Sequence, residues 1–437
     1  MDPLTLGALG FIALIVMVML GIHIVFATAL TGFFGIAILK GWGVAINIVG
    51  IIPHSTGSNY LFSVLPMFIL IGFFAHSSGM VGNAFRAARA WMGWMPGGLA
   101  ISTVFAAAGF GAVSGASQAT AAVFARVAIP ELLKYKYNPA MSAASVAAAS
   151  TLASLIPPSA VLVIYGAIVE QSIGRLLLAG VVPGVFSALL YAGLLLIRFS
   201  LNPSLGEPIR GVTWRERGAS IGGIIPIILV MVLILGGIST GWTTPTEAGA
   251  SGACIVFIYT LMRRRLNFSG LSTSLVETAK LTVMIFSTVW GVYIFARFLA
   301  FTQLPTVIAE WIVALPLPAT AVLIVILLCY AFLGMFMSPS GMMLLTLPVI
   351  FPAIVELGID PILFGILVIK MVEIGLITPP IGLNVYVVGG IRTDISLQSI
   401  FSSIWPFVAI DLLTVALLIK FPEIVLFLPD LVLSAKP

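Results

Sequence analysis

The chain has 437 residues, 60% of them hydrophobic and only 8% charged, with a mean hydropathy of +1.20. That composition excludes a soluble domain with a polar surface and points to a polytopic membrane protein. The net charge of +5 resides mostly in arginine and lysine of short loops, so it reads as membrane topology and not as nucleic-acid binding. Cys254 and Cys329 lie in apolar runs and His23, His54 and His76 are far apart, which argues against a disulfide framework or a metal cluster.

In chain order, Met1-Asp2-Pro3 lacks the basic region of a cleavable signal, so the first apolar run is expected to be a retained span. The runs are 4–20, 22–39, 60–80, a Gly/Ala/Ser-rich segment 93–130, then 139–169 and 176–197, making six elements. After the polar linker 198–217 come 221–238, 247–262, 278–301, 315–352, 361–388 and 400–419, six again. Three landmarks recur at one common offset: Phe110 with Phe332, Pro130 with Pro352, and Pro157-Pro158 with Pro379-Pro380. The expected organisation is therefore all-α with two six-element repeats, 1–197 and 218–437, joined by the linker 198–217.

Each repeat holds a Pro-Pro pair inside a long apolar stretch, ASTLASLIPPS (149–159) and EIGLITPPIGLN (373–384). Proline lacks the backbone donor and clashes with the preceding turn, so a broken helix is expected over 139–169 and again over 361–388, restarting from the prolines. Opened backbone at membrane depth is tolerated only where it is buried in protein or lines a wet cavity, which makes both breaks candidate binding sites.

The elements before these breaks, 93–130 and 315–352, read as re-entrant hairpins. Arg86, Arg89, Lys134 and Lys136 flank the first and place its ends on the cytoplasmic side, whereas Glu310, Glu356 and Asp360 flank the second, which fits the opposite side. The repeats are thus expected to be inverted, with the linker inside and both termini outside; Lys40 then falls on the wrong side. In FGAVSGASQATAA, glycines permit a tight turn at Ser114 to Ser117, and GMFMSPSGMM puts Ser338, Pro339 and Ser340 at the equivalent place. Each tip would approach its own break. Oxygen ligands there suit sodium: Ser114, Gly115, Ser117, Ser150, Thr151, Ile156 and Pro157 at one pair; Ser338, Ser340, Gly375, Thr378 and Pro379 at the other. A substrate between them would meet Ser117, Ser159, Ser340 and Asn384. The same small residues would also let membrane helices pack closely.

GMVGNAFRAARAWMGWMPGGLA, FGAVSGAS, LIPPS, LAGVVPG, TTPTEAGA, GLITPPIGLN and the closing WPF to LP segment together resemble the large membrane subunit of tripartite ATP-independent periplasmic (TRAP) transporters. The resemblance covers nearly the whole chain. It implies an elevator-type member of the ion transporter superfamily in the bacterial inner membrane, importing an organic acid anion such as a C4-dicarboxylate or sialic acid with sodium. It also implies two partners: a periplasmic substrate-binding protein, and a small four-helix membrane subunit expected as a separate chain. One departure is that the family's Gly-Gly-Thr-Leu-Gly before LIPPS here reads Ala149-Ser150-Thr151-Leu152-Ala153.

Of the charges inside spans, Lys370 and Glu373 are three apart on one helix and are expected to pair, the other role for Glu373 being proton coupling or cation binding. Arg297 and Asp411 have no evident partner. Arg263 to Arg265 read as a cytoplasmic anchor beside the amphipathic stretch 266–276. A serine hydrolase would need a base near Ser114, which the sequence does not supply. An ion channel or proton-pumping subunit is the remaining alternative, although a pump should carry more intramembrane ionisable residues than this chain has.

Overall fold

The computed structural model describes residues 2–209 and 211–433; Met1, Arg210 of the linker and the last four residues, 434–437, lie outside the described residues. Helices dominate the described chain. The first half carries α1 (Pro3–Met19), α2 (Ile24–Lys40), α3 (Trp42–Gly57), α4 (Val64–Ser78), α5 (Met80–Met92), α6 (Gly98–Ser114), α7 (Ser117–Lys134), α8 (Pro139–Ser150), α9 (Ala160–Ile168) and α10 (Ile173–Leu201). A short α11 (Trp214–Ile221) straddles the end of the linker, into which α10 also extends. The second half follows with α12 (Ile225–Thr240), α13 (Pro245–Met262), α14 (Phe268–Thr302), α15 (Leu304–Val313), α16 (Ala319–Gly334), α17 (Pro339–Glu356), α18 (Pro361–Ile377), α19 (Leu383–Ile391), α20 (Leu397–Lys420) and α21 (Glu423–Leu433).

The offset that relates the proline pairs reappears in helix boundaries. α7 and α17 begin at Ser117 and Pro339, and α8 and α18 at Pro139 and Pro361, and all four starts obey it. Chemistry at the caps explains the second pair. Asn138 accepts a hydrogen bond from the Met141 N–H, Asp360 accepts from Ile362 and Leu363, and each is followed by a proline suited to a first helical turn. The halves differ most at α14. This 35-residue helix is unbroken, whereas the equivalent stretch of the first half is divided into α3, a 3₁₀ turn at Tyr60–Ser63 and α4. Helix α3 lies outside the six apolar runs read from the sequence because glycines bound it and Asn47 and Pro53 interrupt its apolar pattern. The amphipathic stretch 266–276 is not separate either, since α14 continues through it from Phe268.

Among the described residues, five helical stretches are long and apolar enough to cross a membrane, and a sixth is obtained if α11 and α12, bent by 44°, form one span. Shorter apolar helices such as α2, α6 and α16 complete the bundle. Outer faces such as Ile12 and Val16 of α1 and Ile228 and Val232 of α12 leave large apolar side chains exposed, a surface matched to lipid. Inside, α2 lies along α14 and α13 along α4. Close approach needs small residues: a Cβ on Gly32 would stand 2.7 Å from the Phe295 backbone nitrogen. The hairpin arms α6 and α16 pack on α8 and α18, while α7 reaches α19 and α17 reaches α9, so each hairpin also touches the opposite half.

A charged cluster ties this core together. Lys370 of α18 does not pair with Glu373; its ammonium lies 2.6 Å from Asp411 Oδ1 on α20, as an ionic contact without hydrogen-bond angles, and both side chains are almost fully buried. Tyr191 of α10 donates to Asp411 Oδ2 at 2.5 Å, its ring faces the ammonium at 5.5 Å, and the Thr151 hydroxyl is 3.4 Å from its OH. The expected intrahelical pair fails because a carboxylate from a neighbouring helix takes the lysine, a partner that spacing along one helix cannot reveal. Lys40 is accommodated differently, above the Phe301 ring at 5.5 Å.

Removing one member of a buried pair strands the other charge, at a cost of about 3–5 kcal/mol, whereas replacing both by apolar residues is close to neutral. Lys370→Met or Asp411→Leu alone should therefore lower the thermal midpoint of the purified protein sharply, and the double variant should recover most of the loss. Additive losses in the double variant would show that the two residues do not act as a pair.

Candidate functional site

Both proline pairs open their helices. α8 ends at Ser150, a 3₁₀ turn covers Thr151–Ser154, and the chain is non-helical from Leu155 until α9 begins at Ala160. The restart is not at the prolines, as expected from sequence, but after a cap. Ser159 accepts from the Leu162 N–H at 3.3 Å and donates to the Ser154 carbonyl at 2.5 Å, satisfying one orphan of each half-helix. In the second half α18 ends at Ile377, Thr378 is extended, and Gly382 takes the left-handed region (φ +60) before α19 starts at Leu383.

The first hairpin turns at Gly115, with φ +63, and a Cβ there would stand 2.7 Å from the Pro158 carbonyl oxygen. Glycine thus permits the turn and brings the tip against the break. Ser114 and Thr120 are linked by a 3.0 Å hydroxyl contact across the tip. In the second hairpin Ser338 caps α17, accepting from the Gly341 N–H at 3.4 Å, and Pro339 occupies the first turn. Contact along the hairpin arms is equally close. A Cβ on Gly111 would stand 2.6 Å from Ala153 Cα, and one on Gly375 would stand 2.6 Å from the Ala331 carbonyl oxygen. Ala153 is thus accommodated by a glycine on the facing arm.

A cavity of about 620 Å³ joins the two tips. Ser114, Gly115 and Ser117 line it from the first hairpin, Ser338 and Ser340 from the second, and Ser154 and Ala160 from the first break. Phe68, Phe73, Phe110, Ile164 and Met284 supply apolar wall, and His23, His76, Gln118 and Arg126 add polar groups. The volume and the mostly apolar lining with a few polar groups suit a small organic molecule.

The remaining expected residues stand behind the wall. Ser150, Thr151 and Thr378 donate their hydroxyls to the carbonyls of Ala147, Ala148 and Ile374 in their own helices, and Ile156, Pro157, Gly375 and Pro379 are likewise not cavity lining. Ser159 and Asn384, expected to touch substrate, are fully buried; Ser159 is consumed in its cap, and Asn384 donates to Ser150 Oγ at 3.1 Å across the two halves. Arg297 is exposed on α14 and also lies off the cavity.

Among the described residues, Glu373 is a buried group with both side-chain oxygens lacking a hydrogen bond. It is 1% exposed, and the hydroxyls of Ser154 and Ser117 face its carboxyl, but neither oxygen has a hydrogen bond of ordinary geometry. Ser154 Oγ is also unpartnered. A carboxylate, two hydroxyls and the opened backbone thus meet where the first tip touches the first break. Sequence reasoning overlooked Ser154, Gln118 and Arg126; the available signal for Arg126 was a cation in mid-arm, well separated from both Ser117 and Lys134.

The sequence profile described as "Tripartite ATP-independent periplasmic transporter, DctM component" matches residues 11–424. The C4-dicarboxylate TRAP transporter large permease protein DctM of Pseudomonas aeruginosa is 37% identical over 86% of this chain and 87% of its own length. The sialic acid TRAP transporter large permease protein SiaM of Vibrio cholerae is 31% identical over 86% of this chain and 88% of its own. Among solved structures, MtrF of Neisseria gonorrhoeae, described in a class of antimetabolite efflux pumps, superposes with a TM-score of 0.61 at 14% identity, covering 96% of this chain and 95% of that one, a likeness of fold alone. The helical bundle, its paired breaks and hairpins, and a family match spanning almost the entire sequence identify this multi-pass membrane chain, a transporter subunit and not an enzyme, as belonging to the DctM component family of tripartite ATP-independent periplasmic transporters.

Proposed function

We propose that the chain forms the transport path of a sodium-coupled importer of organic acid anions in the bacterial inner membrane. A periplasmic binding protein delivers the substrate, and a small four-helix membrane subunit completes the complex. The observation that carries this reading is the cavity to which both hairpin tips contribute serines and the first break contributes Ser154. Relatives named for C4-dicarboxylate and sialic acid transport support the substrate class.

The two halves are inverted repeats, 1–197 and 218–437 around the linker 198–217. Helix starts that share one offset support this division, and the opposite charges flanking the two hairpins support the inversion. Substrate crosses by an elevator movement of the hairpins and broken helices against the α2, α4, α13 and α14 framework. Sodium binds at the two hairpin and broken-helix pairs. At the first, Glu373 joins Ser117, Ser154 and the carbonyls before Pro157; at the second, Ser338 and Ser340 join the opened backbone near Thr378. Cations there offset the negative charge of a carboxylate held between the tips, near the N-termini of α7 and α17. The anion then binds well only after the cations.

Ser117→Ala, Ser340→Ala and Glu373→Gln should each raise the sodium concentration needed for half-maximal uptake in proteoliposomes containing both membrane subunits and the binding protein, by several-fold or more for Glu373→Gln. Unchanged sodium curves in all three variants, or equal uptake driven by a proton gradient without sodium, would contradict the assigned sites. The inversion has its own test. A single cysteine near Lys134 should react with an impermeant thiol reagent only from the cytoplasm and one near Glu356 only from the periplasm; labelling of both from one side would exclude it.

A further inference from the structure

We infer that the elbow between α4 and α5 holds the headgroup of an anionic phospholipid on arginines from two parts of the chain, Arg86 of α5 with Arg263 and Arg265 of the turn between α13 and α14. This requires only the membrane, and not the coupling or the inversion proposed above. All three residues are exposed, and among the described residues none of them forms an ion pair with an acidic side chain. Neither 79–95 nor 259–276 contains an acidic residue. Cations left without counter-charges at a bilayer surface attract anionic headgroups, and basic pockets between helices hold them selectively.

A series of contacts draws the arginines together. Arg86 donates to Asn83 Oδ1 at 2.6 Å, Asn83 Nδ2 stands 3.5 Å from the Tyr259 hydroxyl, and the Arg263 guanidinium lies 5.9 Å from the centre of the Tyr259 ring. Arg265 reaches the same elbow. Its Nη1 occupies the place that a Cβ would take on Gly79, whose carbonyl accepts from the Asn83 N–H in the first turn of α5. Glycine, here with φ +78, both makes the elbow and leaves room for the guanidinium. Guanidinium forks match phosphate oxygens. Tryptophans mark the depth: Trp91 and Trp94 are exposed, and Trp214 of α11 meets Trp91 edge-on at 6.5 Å while Arg217 lies 4.6 Å over its ring. Exposed tryptophan beside arginine belongs at headgroup level. Because α5 packs on α6, a headgroup bridging the α13–α14 turn to α5 braces the elbow that leads into the first hairpin.

The test mixes the delipidated two-subunit membrane complex in detergent with equal amounts of phosphatidylglycerol and phosphatidylcholine of identical acyl chains, and measures the retained lipid by native mass spectrometry. Wild type should retain phosphatidylglycerol in preference by about tenfold or more. Phosphatidylglycerol, but not phosphatidylcholine, should also raise its thermal midpoint. The triple variant Arg86→Gln, Arg263→Gln, Arg265→Gln should lose both responses while keeping the wild-type midpoint in phosphatidylcholine. Removing the same charge elsewhere, by Lys134→Gln, Lys136→Gln and Arg198→Gln, should leave both responses in place. If the triple variant does not fold, Arg265→Gln alone decides, with the preference expected to fall several-fold. A wild-type complex without preference, as would result if the small subunit covered the cluster, would overturn the assignment. So would a preference retained in the arginine variant, or an equal loss in the charge-matched control. Displacement of phosphatidylglycerol by millimolar inorganic phosphate would overturn it too, by assigning the arginines to a free anion.

Discussion

The constraint on which this structure depends is that a helix opened inside a bilayer must find partners for its freed backbone within the protein. At the first break that requirement is met locally by Ser159, which donates to the Ser154 carbonyl, and at longer range by the hairpin tip, where Gly115 lies directly against the Pro158 carbonyl. The tip can sit there only because its residue has no side chain. Hairpin and break consequently form one object, and the contacts of α7 with α19 and of α17 with α9 join that object to its counterpart. A cavity shared by both tips follows from this arrangement.

Several helix starts share one offset, but the charges do not follow it. Lys370, Glu373 and Asp411 all belong to the second half, and the residues at the equivalent positions of the first are Ala148, Thr151 and Leu189. Lys370 and Asp411 neutralise each other and, through Tyr191 and Thr151, fasten the first break to the second half. Glu373 is left without a hydrogen bond beside Ser117 of the first tip and Ser154 of the first break. Under the sodium coupling proposed above, the halves would offer unequal surroundings to a cation: a carboxylate would supplement oxygens at the first pair, and hydroxyls and backbone alone would serve at the second. That asymmetry of charge would make the two proposed sites differ in affinity.

The features legible in the sequence are those written in local backbone chemistry. Proline pairs mark where helices must open, and glycine and serine mark where hairpins turn. Features decided by tertiary packing were not legible. The partner of Lys370 lies on another helix, α20, and Ser159 and Asn384, polar and next to the breaks, turn inward because a cap and a cross-half hydrogen bond claim them. Arg126 was hidden for a related reason. A cation halfway along a hairpin arm resembles a topology signal until the cavity is seen on the side it occupies.

The central claim is that substrate and cations meet between the two hairpin tips. It is tested most directly by an electron cryomicroscopy map of the two-subunit complex in sodium and succinate, compared with one in choline without succinate. The account predicts added density beside Ser117, Ser154 and Glu373, beside Ser338 and Ser340, and between the tips. Substrate density elsewhere in the complex, with the tips empty in both maps, would contradict it.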